Sequence, residues 1–237
     1  MAAVTTTSAV VLGASVPARL GDMLVGPPCT GTVLARFSTA LYVAVPRGFG
    51  LLAVLARDAV RLPCGLQLSQ PLVNLPSSDV QVGAGVVRVG TAEIRPGRVV
   101  SMRVARRAAP VSALVRQAAQ AVDRVDIDVG LLGRGPGLTP WGDDVLAGYL
   151  AGAAAYGLEV DELQTDVAAQ APGRTTTLSS ALLRHAAAGE TIPQVEGLID
   201  ALVGRRPLTR ALAQLREVGH TSGAGLAAGV VAAAVAA

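Results

Sequence analysis

Apolar residues follow two rhythms along the chain, and the change comes near residue 108. Before it, short β-branched and aliphatic runs alternate with turn residues. Residues 32–37, 41–45, 51–55, 86–89 and 99–104 read as strands. Between them lie turn signals at Pro46-Arg47-Gly48, Leu62-Pro63-Cys64-Gly65 and Arg95-Pro96-Gly97. This spacing predicts a compact antiparallel unit, a barrel or a sandwich. Residues 1–20 carry little pattern and read as partly loose. After residue 108 the rhythm is helical, over residues 111–122, 140–156, 160–170, 178–188, 193–202, 208–218 and 222–236. Pro140, Pro193 and Pro207 fall near helix starts, where a missing N–H is harmless. The expectation is an α+β protein, with a β-rich domain over residues 1–107 and an all-helical domain over 108–237.

Two glycine-punctuated segments interrupt the helical half. Gly133-Arg134-Gly135-Pro136-Gly137-Leu138-Thr139-Pro140-Trp141-Gly142-Asp143-Asp144 leads into one alanine-rich helix, and Gly219-His220-Thr221-Ser222-Gly223-Ala224-Gly225 into another. Each sets a loop, a hydroxyl and a titratable side chain at a helix N-terminus. Unpaired N–H groups and partial positive charge there favour an anion. The two segments echo each other: with Gly142 aligned on Gly223, Ala147 falls on Ala228 and Gly148 on Gly229. A glycine inside a helix costs about 1 kcal/mol against alanine. Pairs four apart, Gly148 with Gly152 and Gly225 with Gly229, therefore predict two helices in backbone contact that bring both loops to one pole. The alternative is chance similarity between two Gly/Ala-rich helices.

The residues of these segments have two readings each. Thr139 and Pro140 make a good helix start, and acids in the first turn favour the dipole, which accounts for Asp143 and Asp144 structurally. Gly133, Gly135 and Gly137 exceed what a cap needs and let backbone N–H groups approach a ligand. Adjacent acids on a helix point about 100° apart, so one can face a site while the other holds the loop. Asp144 shares the face of Gly148 and Gly152. A carboxylate there could orient a nucleophile, take a proton or help bind a divalent cation; no other cofactor or metal is expected. His220, beside Thr221, Ser222 and Gly223, suits a base or hydrogen-bond donor near neutral pH, or a structural role. His185 reads as a surface or packing residue. Arg174-Thr175-Thr176-Thr177-Leu178-Ser179 sets a guanidinium and several hydroxyls before another helix. That suits a carboxylate or phosphate, or else a threonine cap with an exposed arginine. Arg134 is a second candidate anion partner. The candidate catalytic residues are Asp143, Asp144 and His220. The candidate binding residues are Arg134, Gly135, Gly137, Thr139, Arg174, Thr175, Thr176, Ser179, Thr221, Ser222 and Gly223.

Composition removes other chemistries. The chain is 51% hydrophobic and only 16% charged, which supports a folded core rather than disorder. Aromatics are 3%, too few for a base-stacking platform. All 20 basic residues are arginine, so no lysine is present for a Schiff base, a cofactor or a P-loop. The arginines are dispersed, and no nucleic-acid partner is expected. Cys29 and Cys64 lack metal-ligand spacing, and two histidines do not complete a zinc site. Neither a Gly-x-Ser-x-Gly elbow nor a dinucleotide fingerprint stands up: Leu138 occupies the third glycine position of the latter. The first 30 residues lack a signal-peptide pattern. The uncharged stretch 221–237, about 17 residues, sits at the short edge of a membrane span and reads as a buried helix. A soluble, cytoplasmic protein with no membrane partner is expected.

The segment Gly135-Pro136-Gly137-Leu138-Thr139-Pro140-Trp141-Gly142-Asp143-Asp144, followed by Leu146-Ala147-Gly148, resembles a hallmark of a bacterial family long described as a domain of unknown function. Gly219-His220-Thr221-Ser222-Gly223, followed by Ala228-Gly229, resembles its second hallmark. Residues 176–189 resemble the segment between them. One member of that family is a subunit of oxamate carbamoyltransferase, a three-protein enzyme of allantoin degradation. The resemblance implies carbamoyl transfer between carbamoyl phosphate and an amide or amine nitrogen. It further implies a small anionic metabolite as ligand, other subunits as partners, and an oligomer. On that view Arg134 and Arg174 hold anionic groups, His220 donates to the carbamoyl oxygen, and Asp143 or Asp144 positions or deprotonates the attacking nitrogen. The alternative is a non-catalytic subunit that binds the metabolite or assembles the others. Trp141 stands where serine is expected in the family, and Ala224-Gly225 where a bulkier or acidic pair is common. The Ser-Thr-Arg-Thr-Arg loop and His-Pro pair of ordinary carbamoyltransferases are not present.

Overall fold

The aliphatic runs of the first hundred residues become eight strands in a computed structural model of the chain, which describes residues 10–72 and 79–237. They are β1 (Val10–Pro17), β2 (Cys29–Arg36), β3 (Ala40–Ala44), β4 (Leu51–Leu55), β5 (Gly65–Leu68), β6 (Val80–Gly83), β7 (Val86–Val89) and β8 (Ala92–Val100). They close into a barrel in the order β1-β5-β4-β3-β2-β6-β7-β8. Inward positions such as Leu12, Leu41, Val54, Leu66, Val82 and Ile94 are buried and form one core. Helix α1 (Ala18–Val25) adds Leu20, Met23 and Leu24 to that core.

Four expectations need correcting. The barrel is mixed rather than antiparallel, because β1 runs parallel to β8, and β4 parallel to β5. Arg95-Pro96-Gly97 is not a turn but lies inside β8. There the register against β1 shifts, with Ala14 opposite Pro96 and Ser15 opposite Arg98. Gly97 is the extra residue, and a bulge is where a strand tolerates proline beside glycine. The strand expected at residues 99–104 therefore belongs to the end of β8, which stops at Val100. Residues 10–20, read as loose, supply β1 and the start of α1; residues 1–9 lie outside the described residues.

The chain divides into two compact units, Met1–Ser101 and Met102–Ala237, and the second is helical. Its helices are α2 (Ser112–Ala119), α3 (Trp141–Tyr156), α4 (Asp161–Arg174), α5 (Thr177–Ala187), α6 (Pro193–Leu202), α7 (Leu208–Arg216) and α8 (Ser222–Ala236). Helices α3 and α8 are apolar on nearly all sides and are buried accordingly. No helix among the described residues is long and apolar enough to cross a membrane.

Helices α3 and α8 lie against each other in parallel. A side chain at Gly225 would meet Trp141 and Asp144, one at Gly229 the backbone of Val145 and Tyr149, and one at Gly152 the methyl of Ala233. Contacts thus advance along both helices in the same direction, and their N-termini share one end. The close approach requires glycine: at Gly229 and at Gly148 an added Cβ would enter a backbone carbonyl of the partner helix, Val145 and Leu226 respectively. Gly229→Ala should therefore cost about 3 kcal/mol or more, in the upper range for overpacking, because backbone cannot rotate aside. Gly173, with nothing near its Cβ position, is the control. Thermal unfolding should show a large loss for Gly229→Ala and none for Gly173→Ala.

Candidate functional site

Three loops meet at the shared N-terminal end of α3 and α8. The Thr139 hydroxyl, two residues before α3, lies 2.9 Å from the Ser222 hydroxyl at the first residue of α8. The Thr176 hydroxyl, which caps α5 by accepting from the Ser179 N–H at 3.0 Å, donates to the Leu138 carbonyl at 2.6 Å. Thr139, Thr176 and Ser222 are each partly exposed. The glycine loop, the start of α5 and the start of α8 are thereby tied together.

The neighbouring acids Asp143 and Asp144 do different work. Asp143 is buried, and its carboxylate accepts from three donors: the Gly133 N–H at 2.7 Å, the Ser179 hydroxyl at 2.7 Å and the Thr175 hydroxyl. It clamps the glycine loop onto α4 and α5. Gly133 has φ +73°, and a Cβ there would strike the Arg174 carbonyl, so the loop passes directly over the end of α4.

Asp144 is 6% exposed and lies on the face of α3 that meets α8. Burial pushes its carboxyl up from 3.8 to about 7; the Ser222 hydroxyl bonded to it pulls the other way, and the charge of Asp143 adds to the rise. Its Oδ2 is buried without a hydrogen-bond partner. Trp141 stands beside it, its ring edge 3.3 Å from the Cβ position of Gly225 and Asp144 Cβ 2.9 Å from the same point.

Several N–H groups at the two helix starts are engaged within the chain. Gly142 donates to the Arg134 carbonyl at 2.8 Å, and Asp143 and Asp144 both donate to the Pro140 carbonyl. Gly223 donates to the Val218 carbonyl at 2.9 Å, while Ala224 and Gly225 donate to Thr221. The tight loops curl back and supply their own acceptors. Gly223 is also packed so closely on α7 that a Cβ would enter the Leu215 carbonyl.

The remaining candidates lie at the rim. Arg134, Gly135, Gly137, His220 and Thr221 are exposed, and the Arg174 guanidinium donates to Gln170 at 2.9 Å. His185 is not at the surface: it is 1% exposed, with Nδ1 2.7 Å from Glu190 Oε2. Among the described residues no cluster of three or more His, Cys, Asp or Glu forms.

The helical unit is thus defined by a buried carboxyl and a hydroxyl pair at the joined N-termini of two parallel helices. Residues 131–234, which hold both glycine segments and the whole of this end, match the family model described as Oxamate carbamoyltransferase subunit AllH, the family that the two motifs resemble. The match covers less than half of the chain and leaves the barrel outside it. No curated protein and no solved structure matches the chain.

Proposed function

We propose that the chain is a subunit of an oxamate carbamoyltransferase and that the joined end of α3 and α8 belongs to its substrate site. The observation that carries this reading is the buried Asp144, one carboxylate oxygen unengaged, inside the segment that matches that family. A carboxyl poised near neutrality suits proton transfer at working pH. In the forward step the oxamate amide nitrogen attacks the carbamoyl carbon. A C–N bond forms, the bond to the phosphate oxygen breaks, phosphate leaves with the electron pair, and the nitrogen's proton passes to Asp144. In the reverse step Asp144 returns it. The exposed Arg134 and Arg174 supply positive charge for the carboxylate and phosphate groups. His220, on the exposed loop before α8, is the donor available to the carbamoyl oxygen.

The test is assembly of the chain with its partner subunits and assay of phosphate release from carbamoyl phosphate plus oxamate. Turnover that requires this chain supports the reading. Equal turnover by the partners alone overturns it. Turnover that needs the chain but is indifferent to both Asp144 and His220 makes it an assembly subunit instead.

A further inference from the structure

The buried carboxyl of α3 is met by a hydroxyl from another helix. Ser222, the first residue of α8, hydrogen-bonds to Asp144. The same hydroxyl lies 2.9 Å from that of Thr139, in the loop before α3. Close packing sets these contacts. A Cβ at Gly225 would lie 2.9 Å from Asp144 Cβ, and one at Gly219, which has φ +60°, would lie 3.2 Å from Ser222 Oγ. The three groups form a row from the partly exposed Thr139 through Ser222 to the buried Asp144. Elementary chemistry orders that row whenever Asp144 is ionised. A carboxylate has no proton, so the Ser222 hydroxyl donates to it. With its one proton so engaged, Ser222 accepts from Thr139. When Asp144 is protonated, either order is open.

We infer that Ser222 is a positioning residue for Asp144, holding the ionised carboxylate across the α3–α8 seam, and that Thr139 acts on Asp144 only through Ser222. The inference rests on the reading of Asp144 as the proton-transfer group and adds what makes its ionised form available. A buried carboxylate without a donor is costly. Ser222 supplies one, while Oδ2 stays unengaged for the substrate proton. A hydroxyl that accepts one hydrogen bond donates the next more strongly, and that is the part Thr139 plays. The charges around Asp144 act differently. Asp143 repels it from the same helix, and the oxygens of Asp143 take Gly133, Thr175 and Ser179 instead. Helix α8 has no titratable side chain, and on α5 His185 pairs with Glu190. Arg134 and His220, on the loops of this end, are exposed, and Arg216 at the end of α7 donates to the Ala121 carbonyl.

Titration of the Asp144 carboxyl carbon, followed by NMR on the full chain, tests this without an assay of transfer. In Ser222→Ala the midpoint should rise by about one pH unit or more, as expected for one lost hydrogen bond to a charged group. Thr221, not Ser222, is the cap residue of α8, so alanine at 222 leaves the helix start intact. Ser222→Thr keeps the hydroxyl and should hold the midpoint near that of the wild type. Thr139→Val should raise it by a smaller step, about 0.3 pH unit. In a chain that already carries Ser222→Ala, the same change should add nothing. In the assembled complex the acid limb of the rate should move with the midpoint. An unmoved midpoint in Ser222→Ala, a Ser222→Thr midpoint equal to that of Ser222→Ala, or a Thr139→Val step that persists beside Ser222→Ala would each overturn the inference. The two readings fail separately. Midpoints that move as stated in a chain whose complex transfers nothing keep the positioning and remove the function. A complex that transfers carbamoyl groups while the midpoints stay fixed does the reverse.

Discussion

Asp144→Asn should abolish turnover of the assembled enzyme and at the same time make the chain more stable. The loss is expected at about 10²–10⁴-fold, the usual contribution of a positioned acid–base group. The gain follows from where the carboxyl sits. Its pKa in the fold, about 7, lies above its unfolded value, so the fold favours the protonated form. The associated stability is complete below about pH 4 and is lost as pH rises through about 7. Asparagine is neutral throughout and loses nothing. At about pH 8 the variant should therefore exceed the wild type by roughly 2–4 kcal/mol, and the difference should vanish toward about pH 4. Thermal unfolding at both pH values reads it directly. Equal melting temperatures at the higher pH would show that burial of the charge is not resisted by the fold, and would remove the ground for giving Asp144 a proton-transfer role. The wild-type rate should show the matching acid limb, falling below about pH 7 as the carboxyl protonates.

The helical half is close to legible because its signals are local. Pro193 sits in the first turn of α6, and Pro140 and Pro207 immediately precede α3 and α7. The Gly148/Gly152 and Gly225/Gly229 pairs could be read as close packing because only backbone contact justifies glycine inside two buried helices. The barrel is less legible because its closure is non-local. Strand β1 mixes Gly13, Ala14 and Ser15 with valines, and becomes a strand only because β5 and β8 flank it. The turn composition around Pro63-Cys64-Gly65 hides the start of β5, although the turn is real and closes with Gly65 N–H to the Leu62 carbonyl at 3.0 Å.

The candidate site divides in the same way. That hydroxyls and acids gather at helix starts is written in the order of residues. Whether those starts offer donors or acceptors is not, since it depends on where the preceding loop folds back. Val218 and Arg134 turn their carbonyls onto Gly223 and Gly142, so these two N–H groups are taken up within the chain. His185 is a similar case. Its helical position gave no sign of Glu190, which follows the C-terminal turn of α5 and reaches back to it.

Asp143→Ala should act in the opposite direction to its neighbour and should be the most destabilising single change at this end. The side chain is buried and accepts from a backbone N–H and two hydroxyls, one of them on the buried Ser179. Alanine leaves the partly buried Gly133 N–H and the buried Ser179 hydroxyl without this acceptor, at about 1–3 kcal/mol for each buried donor. The Thr175 hydroxyl, partly exposed, can turn to water. A total of roughly 3–5 kcal/mol is expected. The effect should be concentrated in the loop, because the Asp143 carboxylate accepts the Gly133 N–H where the loop passes over Arg174. Hydrogen exchange at the Gly133 amide should therefore rise far more than at the buried amides of α8. Asp143→Asn should fall between, since its carbonyl still accepts from Gly133 while its NH2 can be met only if the two hydroxyls reverse. A variant with alanine at 143, native stability and a protected Gly133 amide would mean that the loop is fixed by its own turns and by the Thr176–Leu138 bond. The clamp assigned to Asp143 would then be wrong, and with it the explanation of why two adjacent acids of one helix turn have opposite effects on the fold.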